Sequence, residues 1–140
     1  MSDIMEITEL NFNDNFGGRS SNSGGGLELL MNDRDAKEII KAMVDGGVDA
    51  IEVGFPYSDP VMDGPTIQAA VDISLQNATK ISDVLDTVAA VAQTGAPTLV
   101  MSYWNPIEQY GTEKFAAAMS ANGGVGVITP DLTPEEAVTW

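Results

Sequence analysis

Asp49-Ala-Ile-Glu-Val-Gly-Phe-Pro-Tyr-Ser-Asp-Pro-Val-Met-Asp-Gly-Pro-Thr-Ile-Gln68 decides how this 140-residue chain folds. Ala50 to Gly54 is an apolar, partly β-branched run around one carboxylate, the pattern of a short buried strand. Side chains alternate across a strand, so Ile51 and Val53 share one face while Ala50, Glu52 and Gly54 share the other. Pro56, Ser58, Asp59, Pro60 and Asp63 then exclude regular structure. Asp63-Gly-Pro-Thr66 reads as a helix start, with Asp at or near the N-cap and Pro in the first turn.

The two acids meet opposite environments. A carboxyl in an apolar strand is desolvated, which favours its neutral form and makes Glu52 a candidate proton donor or shuttle. A carboxylate at a helix N-terminus is stabilised as the anion. Such a pair separates acid and base roles within one site. The plain alternatives are a helix cap for Asp63 and a satisfied structural acid for Glu52; buried unpaired Glu is rare, which favours function for Glu52.

Outward from this stretch, strands and helices alternate. Ile4, Ile7 and Leu10 fall at helical spacing and predict a helical turn or two within Met1 to Leu10. Asn11 to Gly26 is Asn-, Gly- and Ser-rich, the composition of a linker or disordered arm. Residues 1–31 thus form an acidic arm, disordered or contributing a poor first strand from Leu27 to Met31, and residues 32–140 form the folded domain. Asn32-Asp33 caps a helix with Ala36, Ile39, Ile40 and Met43 on one face, closed by Gly46-Gly47. A second strand runs from Val48 to Gly54. Thr66 to Leu75 is helical, with Ile67, Ala70, Val71 and Ser74 inward. Ser82 caps a helix to about Thr94, with Val84, Leu85, Val88 and Val91 as its stripe. Thr98 to Tyr103 is a third strand, Trp104-Asn-Pro106 a turn, Thr112 the cap of a helix to Ala121, and Val125 to Ile128 a fourth strand. Thr133-Pro-Glu-Glu136 begins another helix. Met43-Val-Asp-Gly-Gly-Val48 and Met119-Ser-Ala-Asn-Gly-Gly-Val125 repeat one device: helix end, glycine pair, strand. The alternation predicts α/β architecture with right-handed crossovers and a parallel sheet of about four strands.

The chain has 6 basic and 21 acidic residues, no His, no Cys and a formal net charge of −15. That charge argues against nucleic acid and anionic membrane as partners. Without Cys or His there is no disulfide framework and no zinc site to expect. No segment is apolar and long enough to span a membrane, so a cytoplasmic protein is expected. Nothing points to a metal, a nucleotide or a redox cofactor; Gly24-Gly-Gly26 has linker spacing.

Ile51-Glu-Val-Gly-Phe-Pro-Tyr-Ser-Asp-Pro-Val-Met-Asp-Gly-Pro-Thr-Ile67 closely resembles the signature of the tryptophan synthase alpha subunit. Val100-Met-Ser-Tyr-Trp-Asn-Pro-Ile107 and Gly124-Val-Gly-Val-Ile-Thr-Pro-Asp-Leu132 resemble later blocks of that family, in the same order. The similarity covers about Val48 to Trp140. It implies a (β/α)8 TIM barrel, of which this chain holds about the first four βα units, since a whole barrel needs about 250 residues. It implies cleavage of indole-3-glycerol phosphate to indole and glyceraldehyde 3-phosphate, with indole passed to a pyridoxal-phosphate beta subunit. By motif position Glu52 matches the catalytic acid/base and Asp63 the second catalytic carboxylate, which acts at the indole nitrogen. Met101, Tyr103 and Ile128 line the indole pocket on this resemblance, or are ordinary barrel core. Phe55, Pro56, Tyr57, Ser58, Asp59, Pro60, Asn105 and Asp131 match loops that face the beta subunit, or are simply turns. The family's phosphate loops and mobile lid belong to the other half of the barrel. A half barrel exposes sheet edges and an apolar inner face, which predicts self-association into a homo-oligomer. A non-catalytic interaction module that keeps the partner-facing loops is the alternative to a lyase.

Overall fold

A computed structural model describes residues 4–7 and 33–140 of the chain. Its sheet has four strands, β1 (Ile4–Ile7), β2 (Ala50–Gly54), β3 (Thr98–Met101) and β4 (Gly126–Ile128), in spatial order β1-β2-β3-β4. All three pairings are parallel. Parallel neighbours need a crossover between them. Here α1 (Asp33–Asp45) precedes β2, α2 (Pro65–Gln76) and α3 (Ile81–Ala92) link β2 to β3, and α4 (Trp104–Tyr110) and α5 (Thr112–Ala121) link β3 to β4. Consecutive parallel strands joined in this way form an arc of an α/β barrel.

The alternation read from Ala50 to Gly54 decides where the core sits. Ile51 and Val53 are buried, and so are their in-register neighbours Thr98 and Val100. Against this face pack Ile40 of α1, Val84, Leu85, Val88 and Val91 of α3, Ile107 of α4, and Phe115 and Met119 of α5. The stripe expected on α3 is the buried one, joined by Thr87, whose hydroxyl donates to the Asp83 carbonyl at 2.8 Å. Val71 and Ser74 are the buried residues of α2; Ile67 and Ala70 are only half-buried.

The repeated helix-end device is real. Val48 N–H donates to Met43 C=O at 3.3 Å, and Gly124 N–H to Met119 C=O at 2.9 Å. Gly47 and Gly123 take positive φ, +92° and +81°. Each closes its helix through a left-handed residue and releases the chain into a strand.

Several local expectations are corrected. Ile4–Ile7 is a strand, not a helical turn: four residues cannot sustain a helix, whereas β2 offers a ready partner. The alternative first strand, Leu27 to Met31, lies outside the described residues, as does the Asn11–Gly26 linker. Trp104-Asn-Pro106 starts a helix rather than a turn, because Pro106 falls in its first turn, where a missing N–H costs nothing. Lys80, not Ser82, occupies the N-cap of α3, and Asp83 reaches back to accept from Lys80 N–H at 2.7 Å. The helix expected after Thr133 is reduced to a turn and a short 3-10 segment, Ala137–Thr139.

Candidate functional site

The other face of the sheet is left half-open, and the candidate residues line it in two rows. Glu52 is in register with Leu99, and Leu99 with Gly126. One step towards the strand ends, Gly54 is in register with Met101, and Met101 with Ile128. Residues in register on parallel strands project to the same side. Glu52, Leu99 and Met101 are half-buried, and Ile128 is 37% exposed. Leu99 leans over Gly126, where an added Cβ would meet Leu99 Cδ2 at 3.3 Å. The Glu52 carboxylate therefore has an aliphatic neighbour on its own row and an apolar shelf, Met101 and Ile128, on the row above.

Asp63 is held by its backbone on three sides. Its N–H donates to Pro60 C=O at 3.1 Å, its C=O accepts from Gln68 Nε2 at 2.8 Å, and the preceding Met62 N–H donates to the Tyr103 hydroxyl at 2.8 Å. The expected helix cap is not made. Gly64 is the N-cap of α2, without a side-chain cap hydrogen bond. The Asp63 carboxylate instead lies near enough to the buried Tyr103 hydroxyl to help raise its pKa.

Tyr103 lies just past the end of β3 and is 2% exposed. Its ring lies 5.3 Å from that of Tyr57, tilted by 33°. Burial raises its phenol above the ordinary value of 10.0; the Met62 N–H lowers it, and the Asp63 and Asp131 carboxylates raise it.

The loops after the strands are tied to one another. Asn105 Nδ2 donates to the Tyr57 hydroxyl at 3.3 Å. Trp104 N–H donates to both Asp131 oxygens, at 2.9 and 3.1 Å. Trp140 meets the Trp104 ring edge-on at 5.5 Å. Ser58, Asp59, Asn105 and Asp131 are exposed on this rim, with Val61 and Met62 beside them, whereas Pro56 is buried and Phe55 packs against the core. The sequence marks Tyr57 only as a loop residue on the partner-facing side, not for its contacts with Tyr103 and Asn105, and gives Gln68 and the Met62 amide no signal of their own; the clue to Tyr103 is that it continues the alternation of Leu99 and Met101.

Among the described residues, no group of three or more acidic side chains converges as a metal site. No helix among them is long and apolar enough to cross a membrane.

Comparison with known proteins follows the same lines. The family model for the tryptophan synthase alpha chain matches residues 31–140. The tryptophan synthase alpha chain of Thermobifida fusca is 63% identical over 102 residues, covering 73% of this chain and 38% of its relative. That of Salinispora tropica is 59% identical over 99 residues, covering 71% and 37%. A structure of Mycobacterium tuberculosis tryptophan synthase superposes with a TM-score of 0.72 at 45% identity, over 78% of this chain and 42% of that one. A protein from Aquifex aeolicus superposes with a TM-score of 0.74 at 32% identity, over 97% and 47%. The chain thus spans about two fifths of the length of these curated relatives.

Proposed function

The chain belongs to the tryptophan synthase alpha chain family, and on that premise we propose that it acts as a carbon–carbon lyase on indole-3-glycerol phosphate, releasing indole and glyceraldehyde 3-phosphate. The observation that supports this is the place of the two acids: Glu52 on the half-open face of β2 and Asp63 on the loop that follows the same strand. In barrel enzymes, catalytic groups sit at the strand ends and the loops after them. Glu52 delivers a proton to the indole ring carbon that bears the glycerol chain. Asp63 accepts a hydrogen bond from the indole N–H and stabilises the positive charge that develops there. The adjacent glycerol hydroxyl loses its proton, the carbon–carbon bond breaks, and its electron pair returns to the ring. An aldehyde and neutral indole leave, and the proton count balances when Glu52 recovers the hydroxyl proton. Met101 and Ile128 form the apolar bed for the indole ring. The exposed rim residues Ser58, Asp59, Asn105 and Asp131 face a pyridoxal-phosphate beta subunit. The setting is amino-acid biosynthesis in the cytoplasm.

A second reading is a non-catalytic, self-associating module. The half-open sheet face and the exposed Val125, at 66%, and Ile128, at 37%, favour it. Indole release from indole-3-glycerol phosphate, with and without beta subunit, separates the two. Release by the wild-type chain that is lost in Glu52→Gln supports the lyase. Absence of release from both overturns it, and light scattering then tests self-association: a monodisperse monomer removes the second reading as well.

A further inference from the structure

The hydroxyl of Tyr103 ties the turn next to Asp63 to the end of strand β3, where the start of the same loop is also held by the Phe55 N–H to Met101 C=O bond at 2.8 Å. It is almost fully buried, so its hydrogen bonds are made within the protein. A phenol has one proton to give and lone pairs to receive with. Here it receives the Met62 N–H at 2.8 Å, which leaves its own proton to give, and the carboxylate of Asp63, the next residue, is near enough to raise its pKa. The Tyr57 and Tyr103 rings lie 5.3 Å apart, centroid to centroid. The neighbouring residues Val61 and Met62 are 80% and 60% exposed, so their side chains contribute little packing to the turn. A turn so poorly packed keeps its shape only through polar ties.

We propose that Tyr103 is a positioning residue: its hydroxyl, clamped between the Met62 amide and the Asp63 carboxylate, fixes where that carboxylate stands relative to the row of Glu52. This gives Tyr103 a task beyond lining an apolar pocket, and that task belongs to the oxygen rather than to the ring. The inference rests on the catalytic reading of Asp63 for its consequence in turnover, but not for the clamp itself.

Two measurements on the full chain test the clamp without any reaction. The chain has three tyrosines. In an ultraviolet phenolate titration, the last component to ionise belongs to Tyr103; it disappears in Tyr103→Phe and moves to lower pH in Asp63→Asn, while Tyr110→Phe leaves it in place. In amide hydrogen exchange, the Met62 N–H loses about fivefold or more of its protection in Tyr103→Phe. An Asp63→Asn titration identical to wild type, or Met62 protection unchanged in Tyr103→Phe, overturns the proposal. Circular dichroism establishes that Tyr103→Phe is folded; if it is not, Asp63→Asn decides the matter alone, because it leaves Tyr103 in place. Indole release is followed in the same variants. Where the wild-type chain turns over, Tyr103→Phe lowers kcat about tenfold with little change in KM, and a variant equal to wild type overturns the positioning role. Where the wild-type chain does not turn over, the lyase reading is what has failed, and the titration still decides the clamp.

Discussion

The Asp131 carboxylate receives the first amide of a helix 27 residues away, with both oxygens on Trp104 N–H at 2.9 and 3.1 Å. The first amides of a helix have no partner within it, and a negative charge there meets the positive end of the helix dipole. Asp131→Ala is therefore expected to cost about 1 kcal/mol of stability in urea unfolding, with Asp131→Asn retaining most of it.

The two glycines that end helices should differ in their tolerance of a methyl group. At Gly47 a Cβ would meet nothing within 4 Å, so Gly47→Ala costs only the left-handed conformation, about 1–2 kcal/mol. At Gly123 the same Cβ would lie 2.8 Å from Ala92 Cβ, where α5 approaches α3. Gly123→Ala should therefore melt measurably lower than Gly47→Ala.

Phe115 is fully buried and meets Tyr110 edge-on at 6.2 Å. Phe115→Ala should cost about 3–5 kcal/mol, a large share of a small domain's stability. Val138→Ala, at a site 86% exposed, should stay within about 0.5 kcal/mol of wild type. Thermal unfolding by circular dichroism compares the two directly.

Alkaline pH should act through Tyr103. Burial raises its phenol in the folded chain above the ordinary value of 10.0, so the folded state holds this proton more tightly than the unfolded state does. Its contribution is fully present below pH 10.0 and is lost as pH climbs through the folded value. Urea midpoints of wild type and Tyr103→Phe, taken on either side of pH 10.0, should show a steeper alkaline fall in wild type.

The parts that were legible in the sequence were those governed by local periodicity. Ile51 and Val53 turned to the core and Glu52 to the half-open face because strand parity leaves no other choice. The paired glycines announced both helix ends. What escaped depends on residues distant in the chain. Asp63 reads as a cap because Asp before Gly-Pro commonly is one, yet Gly64 holds the N-cap and the Asp63 carboxylate acts on the distant Tyr103 instead. Pro106 reads as a turn because its place in the first turn of α4 depends on where the helix begins, which Asp131 helps to fix. Ile4–Ile7 becomes a strand through its pairing with β2, which no window of ten residues contains.

The rim loops borrow polar groups from one another: Tyr57 from Asn105, Tyr103 from Met62, Asp131 from Trp104. Such loops are not interchangeable parts. A βα loop transplanted alone from a relative would arrive without the acceptor its neighbour supplies, and would leave that neighbour's own donor unmet. Recombination between family members should therefore succeed when the segments 55–64, 103–105 and 129–131 travel as one block, and fail when they are exchanged singly.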